Sequence, residues 1–135
     1  MFFTLQKILP LLRTGSSVIV NTSVAALKAA PHLSVYAAAK GAVSALVRTL
    51  AVELAPRGVR INAIAPATIR TPIQAKFGLP PDVMEAVQRE YTGKIPLARF
   101  GESHEVAELA LFLAGRGASY INGVEIAVDG GLLAT

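Results

Sequence analysis

Residues 17–40, SVIVNTSVAALKAAPHLSVYAAAK, decide the fold. The stretch opens on SVIVN, Ser17–Asn21, which is short, apolar and β-branched without polar alternation. That is the pattern of a strand buried on both faces. It closes on SVYAAAK, Ser34–Lys40, where a helical period begins and places Val43, Leu46, Val47, Leu50 and Leu54 on one side. Ser34 is expected to cap this helix through its hydroxyl. The helix should run to about Leu54, with Pro56 and Gly58 ending it. Between strand and helix, Ser23–Leu33 is a loop rich in Ala, with a Pro and a His. A buried strand feeding a long amphipathic helix is the first half of a βαβ unit.

The same alternation extends in both directions. Upstream, Phe3, Leu5, Ile8, Leu9 and Leu12 form a helical stripe over residues 3–13, with Pro10 predicting a kink or a late start and Gly15 a stop. Downstream, VRINAIA is a second buried strand, and the prolines of PATIRTP mark a loop. A helix is expected after Pro81-Asp82. Ser103 is expected to cap a further helix that reaches Ala114 and stops at Gly115. VEIAV is a third strand, followed by Asp129-Gly130-Gly131. Short apolar strands alternating with amphipathic helices predict an α/β fold with a doubly wound parallel sheet. No internal repeat and no linker divides residues 1–135, so a single domain is expected.

Composition narrows the function classes. The 135 residues are 53% hydrophobic and 16% charged, which argues against disorder. No uninterrupted run of about 18 apolar residues predicts a membrane span. The opening MFFTLQKILPLL has neither a basic leading region nor a nearby small-residue cleavage site, so no signal peptide is expected. Cysteine is absent, which removes disulfides, thiol catalysis and thiolate metal sites and fits a cytoplasmic location. His32 and His104 stand far apart, and no metal site is expected. The net charge of +4 comes from scattered residues without interleaved aromatics, which predicts no nucleic-acid partner. Arg70 and Arg99 read as surface or interface charges, and the loop residue His32 reads as a solvated histidine, with contact to substrate as its alternative.

Chemistry enters with Tyr36 and Lys40. Four residues apart on a helix, they share one face, about 5–6 Å apart at Cβ. A free phenol, with a pKa near ~10, is a poor proton donor at neutral pH, and a neighbouring ammonium favours its phenolate. A general acid works better as its pKa nears the working pH. A carbonyl being reduced also needs a donor on its oxygen, where charge develops. Ser23 lies just past the first strand, at the end where open α/β sheets place their ligand crevice. Tyr-x-x-x-Lys pairs and serines after strands each occur commonly as surface and turn features. Their coincidence at one strand end and one helix start is what points to a site.

NTSVAALKAAPHLSVYAAAK resembles the active-site region of the short-chain dehydrogenase/reductase family, with the serine thirteen residues before the tyrosine and the lysine four after it. LAVELAPRGVRINAIAPATIRTP resembles that family's next helix, strand and nicotinamide loop, and IPLARFGESHEVAELALFLAGRGASYINGVEIAVDGG resembles its C-terminal signature. FFTLQKILPLL is similar to the helix before the active-site strand, so the likeness spans essentially the whole chain. The resemblance implies an oxidoreductase that passes hydride between a nicotinamide cofactor, NAD or NADP, and a small-molecule carbonyl or secondary alcohol. It implies that Tyr36 exchanges the proton with the substrate oxygen and that Ser23 binds and polarises that oxygen. Lys40 would tune Tyr36 and hold the ribose hydroxyls. Pro66, the backbone of Ile69 and the hydroxyl of Thr71 would meet the nicotinamide, and residues 73–95 would form a lid.

Two departures accompany the likeness. The family's usual Pro-Gly is Pro66-Ala67 here, which would cost about 1 kcal/mol or more if that position needs a positive φ. None of the eleven glycines forms the strand–glycine turn–helix that cradles a pyrophosphate on backbone N–H groups. The residue that would choose between NAD and NADP is missing, and the family's active-site asparagine would fall just before Met1. The chain therefore resembles the C-terminal half of such an enzyme, a partial Rossmann-like sheet holding the last three of seven strands with flanking helices. SVIVN would then present an open strand edge, and helices 3–13 and 35–54 would lose cover, which predicts a homo-oligomer, dimer or tetramer. Three readings follow: a catalytic oxidoreductase, a non-catalytic folding or oligomerisation module, or a chain that complements a separate N-terminal half. Neither the loop Val24–Leu33 nor the lid carries a motif that names the substrate.

Overall fold

A computed structural model describes residues 1–78 and 80–135. Three parallel strands form the central sheet: β1 (Ser17–Asn21), β2 (Arg60–Pro66) and β5 (Glu125–Val128), in the order β1-β2-β5. Val18 pairs with Ile61 and Val20 with Ala63 across β1 and β2, while Ile64 pairs with Ile126 across β2 and β5. The middle strand takes the heaviest burial, with Ile61, Asn62, Ala63 and Ala65 fully inaccessible. A strand buried on both faces has no use for alternation, which is why RINAIA reads as a near-continuous apolar run.

Helices cover both faces. α1 (Phe2–Ile8) and α2 (Ser34–Leu54) lie on one, where Leu5, Val47, Leu50, Ala51 and Leu54 pack with Val18, Val20, Ile61 and Ala63. α4 (Ser103–Ala114) lies on the other, where Leu113, Val106 and Leu109 pack with Ile64, Ile19 and Ile126. Successive strand residues thus feed opposite cores, as the period of two requires. Asn62 is the polar exception inside β2. Its amide donates to Ile121 O at 3.0 Å and its oxygen accepts from Val124 N at 3.1 Å, so the side chain pins the turn before β5. Ser34–Arg57 is long and apolar enough by composition to cross a membrane, unlike the expectation from uninterrupted runs. One face of it, with Val47, Leu50, Ala51 and Leu54, packs on the sheet, while 22% of its apolar window is buried.

Several local expectations change. α1 ends at Ile8, and Pro10 sits inside a separate 3-10 turn over Leu9–Leu11, as a residue lacking its N–H allows. Ser34 is the first residue inside α2 rather than its cap; Leu33 holds the cap position and no side chain bonds there. Ser103 likewise lies inside α4. Glu102 is its N-cap, and Glu105 accepts the Glu102 N–H at 2.7 Å, while the Ser103 hydroxyl donates to Arg70 O at 3.0 Å. The PATIRTP loop contains a short strand, β3 (Ile69–Arg70), paired in parallel with β4 (Gly101–Glu102). Two residues are too few to leave a periodic signal. A helix does follow Pro81: α3 (Pro81–Thr92). Residue 79 of the expected lid lies outside the described residues. Ala67 does not adopt a positive φ; among the described non-glycine residues only His32 (64°) and Ala98 (52°) do. The Pro66-Ala67 substitution therefore carries no left-handed backbone strain.

Candidate active site

β1 delivers Asn21, Thr22 and Ser23 to the carboxyl end of the sheet. Ser23 caps the 3-10 turn Val24–Ala26, its Oγ accepting the Ala25 N–H at 3.2 Å, and the residue is buried. A hydroxyl that accepts from the backbone keeps its own proton to donate. Tyr36 occupies the first turn of α2 and is 47% exposed. Lys40 follows one turn later. Its ammonium lies 5.7 Å from the centre of the Tyr36 ring, within cation–π range. It also donates to Asn21 O at 3.1 Å, which ties the helix back to the end of β1.

Pro66 ends β2, and Ile69 and Thr71 follow it at the same end of the sheet. One cleft of about 410 Å3 is bordered by Ser23, Tyr36, Lys40, Pro66, Ile69 and Thr71 together. Every residue that the sequence singled out for catalysis or cofactor contact thus faces one space. A second cleft, of about 570 Å3, shares Ser23, Tyr36 and Ala67 with the first and extends under the loop Val24–Leu33 towards Tyr91, Lys94 and Ile95. Tyr36 and Ser23 line both clefts.

The cations around this region are engaged. Lys28 Nζ donates to Leu132 O and Thr135 O, each at 2.7 Å, and to Thr135 Oγ1 at 3.0 Å. Lys94 pairs with Glu90 at 2.6 Å and lies over the Tyr91 ring. That contact lowers the Glu90 pKa and raises that of Lys94, chiefly through their hydrogen bond. Arg70 pairs with Glu102. Arg99 grips both oxygens of Glu105, at 2.6 and 2.8 Å. That bond, with the Glu102 N–H, holds the Glu105 carboxyl down at about 2. Among the described residues no cluster of His, Cys, Asp or Glu could hold a metal ion.

A family model described as enoyl-(acyl carrier protein) reductase matches residues 1–133. The chain belongs to the short-chain dehydrogenase/reductase family. It is 46% identical over 116 residues to a glucose 1-dehydrogenase of Gluconobacter oxydans, an alignment covering 86% of this chain and 42% of that one. It is 41% identical over 135 residues to a 3-oxoacyl-[acyl-carrier-protein] reductase of Thermotoga maritima, covering 98% and 52%. The crystal structure of levodione reductase superposes with a TM-score of 0.90 at 37% identity, over 99% of this chain and 54% of that one. The chain spans about half the length of the curated relatives it matches.

The cofactor that this family typically uses can be set against the residues present. Lys40 and Thr71, with the backbone of Ile69, border the cleft of about 410 Å3 where a nicotinamide and its ribose would lie. A pyrophosphate cradle does not fit. Among the described residues, the sheet strand followed by glycines and a helical turn is β5, with Gly130-Gly131 and the 3-10 turn Leu132–Ala134. There the Asp129 carboxylate itself takes the N–H groups of Gly131 and Leu133, at 2.9 and 2.8 Å. Pro96 and Ile95 side chains crowd the same glycines. An internal anion already fills that nest, as backbone N–H concavities invite.

Sequence reading passed over Thr22, Ser44 and Glu125, which join beneath the site. The signal available was a lone carboxylate inside the apolar strand VEIAV.

Proposed function

We propose that this chain supplies the proton-transfer and nicotinamide-facing half of an NAD(P)-dependent oxidoreductase acting on a secondary alcohol or carbonyl. The observation that carries the reading is the convergence of Ser23, Tyr36, Lys40, Pro66, Ile69 and Thr71 on one cleft. When bound, the cofactor supplies or accepts hydride at the substrate carbon. Tyr36 gives its phenolic proton to the substrate oxygen in reduction and recovers it in oxidation. Ser23, its Oγ already receiving Ala25 N–H, donates to the same oxygen and stabilises charge there. Lys40, anchored on Asn21 O, keeps a positive charge beside the phenol and offers its remaining N–H groups to ribose hydroxyls.

The larger cleft serves as the substrate side. Its wall is mostly apolar, from Val24, Ala25, Ala29, Ala30, Leu33 and Leu132. Lys28 is occupied by three oxygens and Lys94 by Glu90, so an uncharged ketone or secondary alcohol fits it better than a carboxylate or phosphate ester. Residues 73–95, with α3, act as its lid. A cytoplasmic, metal-independent protein without a nucleic-acid partner is the reading drawn from the composition.

A second reading has its own observation. With no free glycine cradle for pyrophosphate among the described residues, the chain alone has only part of a cofactor site, and it acts then as a folding or oligomerisation module unless another half completes it. Calorimetric titration of the chain with NADH and with NADPH separates the cases. The half-site reading expects no micromolar binding to the chain alone. It expects oxidation of NAD(P)H by a cyclic ketone once a family cofactor-binding half is joined ahead of residue 1. Failure of turnover in that joined protein, with binding restored, favours the non-catalytic module.

A further inference from the structure

We propose that Glu125 is a positioning residue for Lys40. The carboxylate of Glu125 sits at the start of β5, yet it joins two other elements. Its Oε1 accepts from Thr22 Oγ1 at 2.5 Å and from Ser44 Oγ at 2.9 Å. Thr22 is the residue between Asn21 and Ser23, and Ser44 lies one helical turn after Lys40. Both hydroxyls are buried. Lys40 Nζ in turn donates to Asn21 O at 3.1 Å. The contacts close a ring: Glu125 to Ser44, along α2 to Lys40, across to Asn21, through Thr22 and back to Glu125.

Each hydroxyl has one proton and two acceptors within reach. Thr22 Oγ1 also approaches Ile64 O at 3.0 Å, and Ser44 Oγ approaches Lys40 O at 3.1 Å. Ile64 O already receives the Thr22 N–H at 2.8 Å, and Lys40 O has the Ser44 N–H of the helical ladder. Each proton can serve one of its two acceptors, and a bond to a carboxylate is the stronger choice. The other oxygen, Glu125 Oε2, is buried with no hydrogen-bond partner. Leaving such an oxygen unpaired works against stability, and an apolar side chain of similar size would suit the core better. What Glu125 adds is geometric: it fixes the turn of α2 that aims Lys40 and the end of β1 that presents Asn21 and Ser23. The functional meaning rests on Lys40 being the cofactor- and tyrosine-facing ammonium proposed above.

The test reads Lys40 directly and needs neither cofactor nor turnover, so it fails separately from that proposal. In proton NMR of the chain, the Lys40 ε-methylene, held near the Tyr36 ring, is expected upfield with an NOE to that ring. The Lys94–Tyr91 pair, 5.5 Å from ammonium to ring centre, serves as an internal control. Glu125→Val and Ser44→Ala are expected to lose most of the Lys40 offset and its NOE, with Lys94 unchanged and with melting temperature held or raised. Glu125→Gln, which keeps an acceptor oxygen, is expected to restore the Lys40 signature. Should Glu125→Val not fold, Ser44→Ala and Glu125→Gln still decide the matter. An unchanged Lys40 signature in folded Ser44→Ala or Glu125→Val overturns the proposal, as does loss of the Lys94 signature in step with that of Lys40.

Discussion

Tyr36, Ser23 and Lys40 differ in how tightly the fold holds them. Ser23 is fixed by a turn it caps, Lys40 by a bond to the strand end, while Tyr36 leans half-exposed over the junction of two clefts. Such a placement suits a group that must meet an incoming oxygen, and removal of its hydroxyl should leave the site standing. Replacing one general acid typically costs about 10²–10⁴-fold in rate. In the proposed substrate cleft, charge depends on the Glu90–Lys94 pair. Glu90→Gln frees the Lys94 ammonium, and because an exposed pair is screened by solvent, the ratio of kcat/KM for a keto acid over a neutral ketone should rise only modestly. A fall in that ratio would place Lys94 away from the bound substrate. The acidic limit belongs to Glu105. Its carboxyl is lowered from 4.5 to about 2 in the fold, by Arg99 first and the Glu102 N–H second. Its contribution is complete above 4.5 and disappears as the pH falls towards 2. Urea midpoints measured across that window should decline for the native chain and decline less for Glu105→Gln.

At the scale of elements, burial decides. Leu113 of α4 is fully inaccessible against Ile64 and its neighbours, so Leu113→Ala should lower unfolding free energy by about 2–5 kcal/mol. Leu111→Ala, one turn-face away and mostly exposed, should stay within about 0.5 kcal/mol in the same urea titration. Elements of this kind were legible from the sequence. SVIVN, RINAIA and EIAV announced strands because they are short, apolar and bounded, and the 21 residues of α2 announced a helix by period. Helix starts were less legible. Ser34 and Ser103 have the chemistry of caps, but the chain enters each helix one residue earlier, at Leu33 and Glu102. In α4 the Glu102 side chain, which accepts the Glu105 N–H, takes the role that a serine hydroxyl could have played, and the Glu105 carboxylate returns a bond to the Glu102 N–H. β3 and β4 escaped notice because a two-residue ladder is created by the approach of distant segments, not by local pattern. The contacts of Glu125 share that origin: its partners lie 103 and 81 residues away in the chain.

For the molecule as a whole, the sheet is open. Among the described residues, β1 and β5 each have one neighbour in the order β1-β2-β5, so each leaves an edge without a ladder partner in that sheet. Phe3 of α1 and Val35 and Val52 of α2 expose apolar side chains on the helices. Open edges and apolar faces favour association. Size-exclusion chromatography with light scattering should therefore show the chain as a dimer or larger, and a monodisperse monomer would refute that expectation. Ser23, Tyr36 and Lys40 were singled out through the family resemblance that their spacing carries, whereas the meeting of two clefts at Ser23, Tyr36 and Ala67 depends on distant segments coming together in space. The most direct measurement is turnover of a cyclic ketone with NADH and NADPH by a chimera that joins the cofactor-binding half of the Thermotoga relative to residues 1–135, compared with its Tyr36→Phe form. Proton delivery by Tyr36 predicts turnover in the first and its loss in the second, with cofactor binding retained in both. Turnover that survives Tyr36→Phe would contradict the account at its centre.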